Sequence, residues 1–217
     1  MPSPTVDVVL IVRDLKPWFE EVLSGLATQD YRNFKIFVIN AAEESKREAI
    51  ALKVFSQLPS AQIVNYSGFS TFSEAVNSVT EHKDFDSYGH FYLLLHEDLV
   101  LNATALRRMA EAALDANAGI VGLKVLSGED PNHLEDMGTS IDRLGSPVPV
   151  VELGEIDQGQ HDFQQNFFAV SEAAMLIRVD LFVALGGFDL SIREPDSHVD
   201  LCWRARLVGA ATLLVPK

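Results

Sequence analysis

Residues 91–98 read Phe91-Tyr92-Leu93-Leu94-Leu95-His96-Glu97-Asp98, five apolar positions followed at once by three polar ones. An unbroken apolar run of this length marks a strand buried on both faces of a sheet, because both alternating sets of side chains must meet a covering layer. Towards the N-terminus, Val6 to Val12 (VDVVLIV) and Phe34 to Ile39 (FKIFVI) repeat the pattern, and Ala61 to Asn65 is a shorter version. Between these runs the apolar period changes to that of a helix. Phe19, Val22, Leu23, Leu26 and Ala27 share one helical face, Ser45 to Gln57 forms a second helix, and Phe72, Ala75 and Val76 mark a third. Towards the C-terminus, Asn102 stands where a helix cap is expected, ahead of a face made by Leu106, Met109, Ala110, Ala113 and Leu114. Ile120 to Leu126 is a fifth strand. Strands alternating with helices predict an α/β domain with a central, mostly parallel sheet flanked by helices.

After Ser127 the pattern changes. Residues 127–172 are rich in Gly, Pro, Asp and Gln, with strand candidates at 138–142 and 148–153. So long a connection is expected to carry binding surface. Ala173 to Ile177 is apolar again, a short helix leads to Gly186-Gly187-Phe188-Asp189, and Val199 to Val208 reads as helix. Residues 213–217 (LLVPK) begin a last strand.

The chain has 217 residues, of which 47% are apolar and 22% charged, which suits one globular domain. Seventeen Lys+Arg against 31 Asp+Glu leave a net charge of −14, so the surface repels phosphate backbones and excludes a nucleic-acid partner bound through a basic stripe. The single cysteine, Cys202, forbids an internal disulfide and fits a reducing compartment. No apolar run is long enough to span a bilayer, and the first residues lack the basic and apolar regions of a signal peptide. The expectation is a soluble, cytoplasmic domain.

Ligands of open parallel sheets sit beyond the carboxyl ends of the strands. The polar residues there are Arg13, Asp14, Asn40, His96, Glu97 and Asp98. Neither G-x-G-x-x-G after a strand nor G-x-x-x-x-G-K-[ST] occurs, which sets aside dinucleotide dehydrogenases and P-loop enzymes. Glu97 and Asp98 offer hard oxygen ligands for Mg²⁺ or Mn²⁺ on a rigid element; the alternative is a solvated acidic turn favouring the next helix. A diphosphate brought to so acidic an edge needs a cation between.

In order along the chain, VVLIVRD at 8–14, LSGLATQDY at 23–31, Ala75-Val76-Asn77, LLLHEDLVL at 93–101, GGFD at 186–189 and VDLCWRARLVG at 199–209 form a set. With this set the chain resembles family-2 glycosyltransferases of the Rossmann-like GT-A fold, closest to a subgroup with an H-D-D metal motif and a DQGQHD segment, here residues 157–162. The resemblance implies inverting transfer of a sugar from a nucleotide-diphosphate donor, a uridine diphosphate sugar first of all, to a glycan or lipid-linked acceptor. It makes residues 1–126 the donor half and 127–217 the acceptor and catalytic half. Asp98 matches the metal-binding aspartate of D-x-D, Glu97 its neighbour, and His96 the position of the first aspartate. Arg13, Asp14, Asn40 and Asn77 match the donor pocket. Asn40 replaces the usual aspartate that accepts the uracil N3–H, a bond that an amide oxygen can also accept. Where the family reads [ED]-D-x-D-L, this chain reads Ser197-His198-Val199-Asp200-Leu201, so His198 stands in place of the expected general base. A histidine can serve as a base at neutral pH. Asp196 and Glu194 are the nearby acids, and Asp200 either takes part in catalysis or pairs with Arg204. Family members continue past Pro216 to a histidine that completes the metal site, often with membrane helices beyond, so a longer form with a membrane domain at the inner face is expected.

His161 and Asp162 either touch a substrate or lie in a solvated loop. Trp203 is an acceptor platform or a core residue, and Cys202 is expected to be buried and inert. Two other functions compete. A GT-A domain that binds nucleotide sugar or glycan without catalysis is kept open by His198 and Asn40. A nucleotidyltransferase wants a glycine-rich basic segment after the first strand, and VRDLKPWFEE lacks one.

Overall fold

The computed structural model describes every residue except 1–2, 67, 69–70, 82–89, 164–165 and 217, and leaves out the side chains of 79–81. The elements are β1 (Val6–Val12), α1 (Phe19–Ala27), β2 (Phe34–Asn40), α2 (Glu44–Gln57), β3 (Gln62–Asn65), α3 (Phe72–Glu81), β4 (Phe91–His96), α4 (Ala105–Asp115) and β5 (Ile120–Leu123). They continue with β6 (Val125–Leu126), β7 (Leu134–Asp136), β8 (Thr139–Ile141), β9 (Pro147–Pro149), β10 (Ala174–Arg178), α5 (Val179–Leu185), α6 (Ser197–Leu207) and β11 (Thr212–Val215).

Seven strands form the central sheet in the order β11-β5-β10-β4-β1-β2-β3. All are parallel except β10, which runs antiparallel between β4 and β5. Every residue of β1 is buried, Asp7 included, as a run apolar at its other six positions requires. One face carries Val8, Leu10 and Val12 against Phe19, Leu23 and Leu26 of α1 and Leu106 and Met109 of α4. The other carries Val9 and Ile11 against Phe72 of α3, Phe167, Phe182 of α5 and Leu201 of α6. Each aromatic so buried contributes several kcal/mol, roughly 3–5 by truncation to alanine, so these faces fix the layers. No helix among the described residues is long and apolar enough to cross a membrane.

The expected architecture is present, with local differences. The fifth apolar run divides, because β5 stays in the sheet while β6 turns away to pair with β7. Asn102 lies two residues ahead of the helix N-cap position, Thr104, and its Oδ1 accepts from the Thr104 N–H at 3.1 Å and the hydroxyl at 3.2 Å. It shapes the turn into α4 rather than capping the first turn directly. Leu114, read as part of the apolar face, is exposed.

Residues 166–173 pack across the sheet before entering β10. Val170 is fully buried, and a Cβ at Gly122 of β5 would lie 2.5 Å from the Val170 Cβ. Glycine is thus required where this segment crosses. Gly122→Ala is expected to lower unfolding stability by about 1–3 kcal/mol, read from the urea midpoint. Wild-type stability in that variant would contradict the packing of this segment on β5.

Candidate functional site

β1, β2 and β4 end side by side, and the site begins where they stop. Past β4 the chain turns at Glu97 and Asp98. Glu97 folds back: its Oε2 accepts the backbone N–H of Arg13 at 2.6 Å and of Asp14 at 3.1 Å. Those amides have left the ladder of β1 and would otherwise lack partners, so one carboxylate oxygen joins the two strand ends. Asp98 is left projecting, its side chain 61% exposed, with one oxygen 3.9 Å from His96 Nδ1. Asp14 accepts from Lys46 Nζ at 2.9 Å and from the Leu15 N–H at 2.8 Å, and these bonds hold its carboxyl below the usual range. The Arg13 side chain is exposed at the mouth.

The facing wall comes from the second half of the chain. The His96 N–H donates to Ala173 O at 3.0 Å, which draws the start of β10 alongside the end of β4. Glu172 is therefore carried to this edge, where its Oε2 accepts from Ser197 Oγ, the first residue of α6, at 3.0 Å. Glu194 accepts the Ser73 N–H at 3.1 Å. Burial raises the Glu172 carboxyl to about 7; Ser197 and Arg13 oppose the rise, and Glu194 adds to it. His96 stacks obliquely on Phe72 with ring centroids 4.1 Å apart, and its Nε2 is sealed from solvent without a hydrogen-bond partner among the described residues. Burial lowers its pKa, with Asp98 and Glu194 pulling up and Arg13 and His198 pulling down. Burial also lowers His198, against Asp136, the Pro195 backbone and Asp196. Arg13 and Glu194 thus act on both His96 and Glu172, His198 acts on His96, and burial disfavours the charged form of both imidazoles.

Other candidates from the sequence have structural partners. Asn40 is fully buried, its Nδ2 donating to Arg47 O at 3.2 Å and its Oδ1 accepting the Ala42 N–H at 3.4 Å. It supports the turn after β2. Asn77 clamps Phe188, accepting its N–H at 2.9 Å and donating to its carbonyl at 2.8 Å. Gly187 beside it has φ +71°, and a Cβ there would lie 2.4 Å from Asn77 Oδ1, so glycine is needed on both counts. Asp200 pairs with Arg204 at 2.7 Å, and the same guanidinium donates to Leu185 O and Gly187 O, both at 2.9 Å. Asp196 is exposed at the N-cap position of α6.

The 157–162 segment is stapled to the end of β5. Lys124, only 5% exposed, bonds Asp157 at 2.8 Å and Asp162 at 2.9 Å. Burial alone would depress this ammonium, but the two carboxylates outweigh it and raise its pKa. His161 Nε2 lies 2.7 Å from Glu155 Oε1. Trp203 is partly exposed and meets Phe168 edge-on, and Cys202 is buried with its thiol pushed up to about 12, hence unreactive.

Among the described residues no group of three His, Cys, Asp or Glu side chains is placed to hold a metal. The donors present fit a different arrangement. Asp98 offers an open carboxylate, with Glu97 fixed behind it, so a hard cation would take most of its ligands from a bound anion and water.

Glu172 carried no motif in the sequence and Ser197 entered only as the first position of the 197–201 motif; the structure joins the two by a hydrogen bond. A carboxyl raised from 4.5 to about 7 binds its proton more tightly when folded, so its stabilising effect is present below pH 4.5 and lost as pH rises through 7. Glu172→Gln keeps an acceptor for Ser197 and removes the buried charge. It is expected to raise the free energy of unfolding at pH 8 by no more than about 3 kcal/mol, read from the urea midpoint, and to leave it nearly unchanged at pH 4. Destabilisation at pH 8 would contradict this burial.

The sequence profile described as glycosyltransferase like family 2 matches residues 4–217. A curated relative from Sinorhizobium fredii, the uncharacterized protein y4gI, is 26% identical over 234 residues, covering 99% of this chain and 24% of its own length. The chain thus spans about a quarter of that relative. The Staphylococcus aureus TarS 1–349 structure superposes with a TM-score of 0.67 at 13% identity, over 98% of this chain and 58% of that one. Mannosyltransferase PcManGT from Pyrobaculum calidifontis, solved with GDP-Man and Mn²⁺, gives 0.66 at 14% identity, over 99% and 55%. TarS 1–349 with UDP-GlcNAc gives 0.65 at 13%, over 98% and 56%. The likeness establishes the GT-A fold, and with the profile covering nearly all of its length, the chain belongs to the family-2 glycosyltransferases.

Proposed function

We propose that this domain transfers a sugar, with inversion at the anomeric carbon, from a nucleoside diphosphate sugar to a glycan or lipid-linked acceptor. The observation that carries the reading is the acidic turn after β4, where Glu97 binds the β1 amides and leaves the Asp98 carboxylate projecting between the donor and acceptor walls. Residues 1–126 supply the donor side, where Arg13, exposed at the mouth, offers a guanidinium to the diphosphate. Structures of neighbours with UDP-GlcNAc and GDP-Man support this donor class. A uridine diphosphate sugar is the first candidate. Residues 127–217 supply the acceptor side, with His198 in the first turn of α6 and Asp200 positioning the 185–187 turn through Arg204.

Mn²⁺ or Mg²⁺ held by Asp98, with Glu97 adjoining, and by the diphosphate would stabilise the leaving group as a Lewis acid. In a chain of net charge −14, such a cation also offsets the repulsion between diphosphate and acidic edge. One open carboxylate holds it weakly without nucleotide. A longer form could bring the reaction to the inner face of a membrane.

Calorimetry with UDP and GDP tests the reading. Mn²⁺ is expected to tighten diphosphate binding about tenfold or more over EDTA, roughly 1.4 kcal/mol, and Asp98→Ala to abolish that gain. Equal affinity with metal and with EDTA would contradict the metal-assisted site. A donor panel then separates catalysis from binding alone: release of nucleoside diphosphate supports the enzyme, and binding without release supports the binding module.

A further inference from the structure

We propose that Glu172, presented at the start of β10 and hydrogen-bonded to Ser197, is the general base of this domain, the catalytic carboxylate absent from positions 197–198. This assignment rests on the glycosyl-transfer reading above and deepens it.

The geometry selects Glu172 by elimination among the acids at the acceptor wall. Asp200 is occupied by Arg204. Asp196 is exposed at the start of α6, and Glu194 also has one oxygen engaged, but by the Ser73 N–H of α3 rather than by the residue at the motif position. Glu172 has one oxygen engaged, by the hydroxyl of Ser197, the residue standing where the family's motif begins with an acid. Among the described residues no hydrogen bond is made to Oε1, and it is not among the polar atoms sealed from solvent. Glu172 lies in the turn two residues ahead of β10, which pairs with β4 from Ala174 and with β5 from Met175, so the sheet holds this turn at the edge.

The charged groups around it are balanced for the task. Arg13 at the end of β1 favours the carboxylate, Glu194 disfavours it, and burial brings it to about 7, where a base is both unprotonated in part and basic enough to act. Burial also disfavours the charged forms of His96 and of His198, the residue that follows Ser197. A hollow of about 270 Å³, lined by Thr71, Ser73, Leu190, Ile192, Arg193 and Glu194, opens on the Glu194 side and gives an acceptor a place to approach. In the step, the acceptor oxygen forms its bond to the anomeric carbon as its proton passes to Glu172 Oε1. The bond from that carbon to the diphosphate oxygen breaks, its electron pair leaves with the nucleoside diphosphate, and Glu172 returns the proton to solvent.

The test uses the whole chain with Mn²⁺, UDP-GlcNAc and GDP-Man as donors and water as acceptor, following released diphosphate from pH 5.5 to 9. Wild type is expected to lose rate as pH falls through about 7, when the base becomes protonated. Glu172→Gln should lower kcat about 100-fold or more, leave donor affinity within about twofold, and abolish that limb. Ser197→Ala removes a bond that favours the carboxylate, so its limb should move to higher pH. A limb that survives in Glu172→Gln and disappears in His198→Gln overturns the assignment while the transferase reading stands. Donor binding with no release by wild type overturns it in favour of the binding module. A chain that binds neither donor overturns the site reading and this role with it.

Discussion

A single carboxylate oxygen accepting two backbone amides sets the geometry of this protein's polar edge. Strands ending together at one edge of a parallel sheet leave N–H groups with no ladder partner, and in a buried setting each costs about 1–3 kcal/mol. Glu97 Oε2 takes two of them, from Arg13 and Asp14. This fixes the ends of β1 and β4 relative to each other and dictates which way the next residue faces. Asp98 projects because Glu97 does not. Without that clamp, adjacent acids on a turn would be interchangeable; with it, one is structural and the other is open.

The second constraint is the antiparallel strand. β10 enters between β4 and β5 against the direction of its neighbours, so its first residues lie at the edge where the others finish. Glu172 is delivered there from a part of the chain remote in sequence from Asp98. The Ser197 bond then ties α6 to the same point. Arg204 holds α6 to the 185–187 turn, while Lys124 holds the 157–162 segment to β5. The second half of the chain is therefore tied to the sheet and to α6 by ion pairs, with the Lys124 ammonium buried and the other charges part-buried.

The regular half was legible in the sequence because hydrophobic runs report burial directly. Val6–Val12 and Phe91–Leu95 could be nothing but inner strands, and the acids after Leu95 had to lie at a strand end. Strand direction is not written in such runs. Ala174–Ile177 looks the same read either way, so nothing showed that Glu172 lies at the functional edge. Partner choice was equally hidden. Asn40 and Asn77 match donor-pocket positions by sequence alone, and in the structure their amides are engaged by backbone groups. Asp200 was read with two alternatives, and its carboxylate is paired with Arg204. The 157–162 segment drew notice as a motif, but that Lys124 anchors it depends on a contact 33 and 38 residues distant.

The central claim is that a cation bound with nucleotide sits at Asp98, between the ends of β1 and β4 and the start of β10. Paramagnetic broadening of backbone amide signals by Mn²⁺ in the presence of UDP measures this directly, since the effect falls steeply with distance from the ion. The account predicts loss of the signals of Arg13, Asp14, Asp98 and Ala173, with those of Gly119, Gly209 and Ala210 at the opposite edge of the sheet retained. Broadening centred on that opposite edge, or equal broadening with and without UDP across the acidic surface, would contradict it.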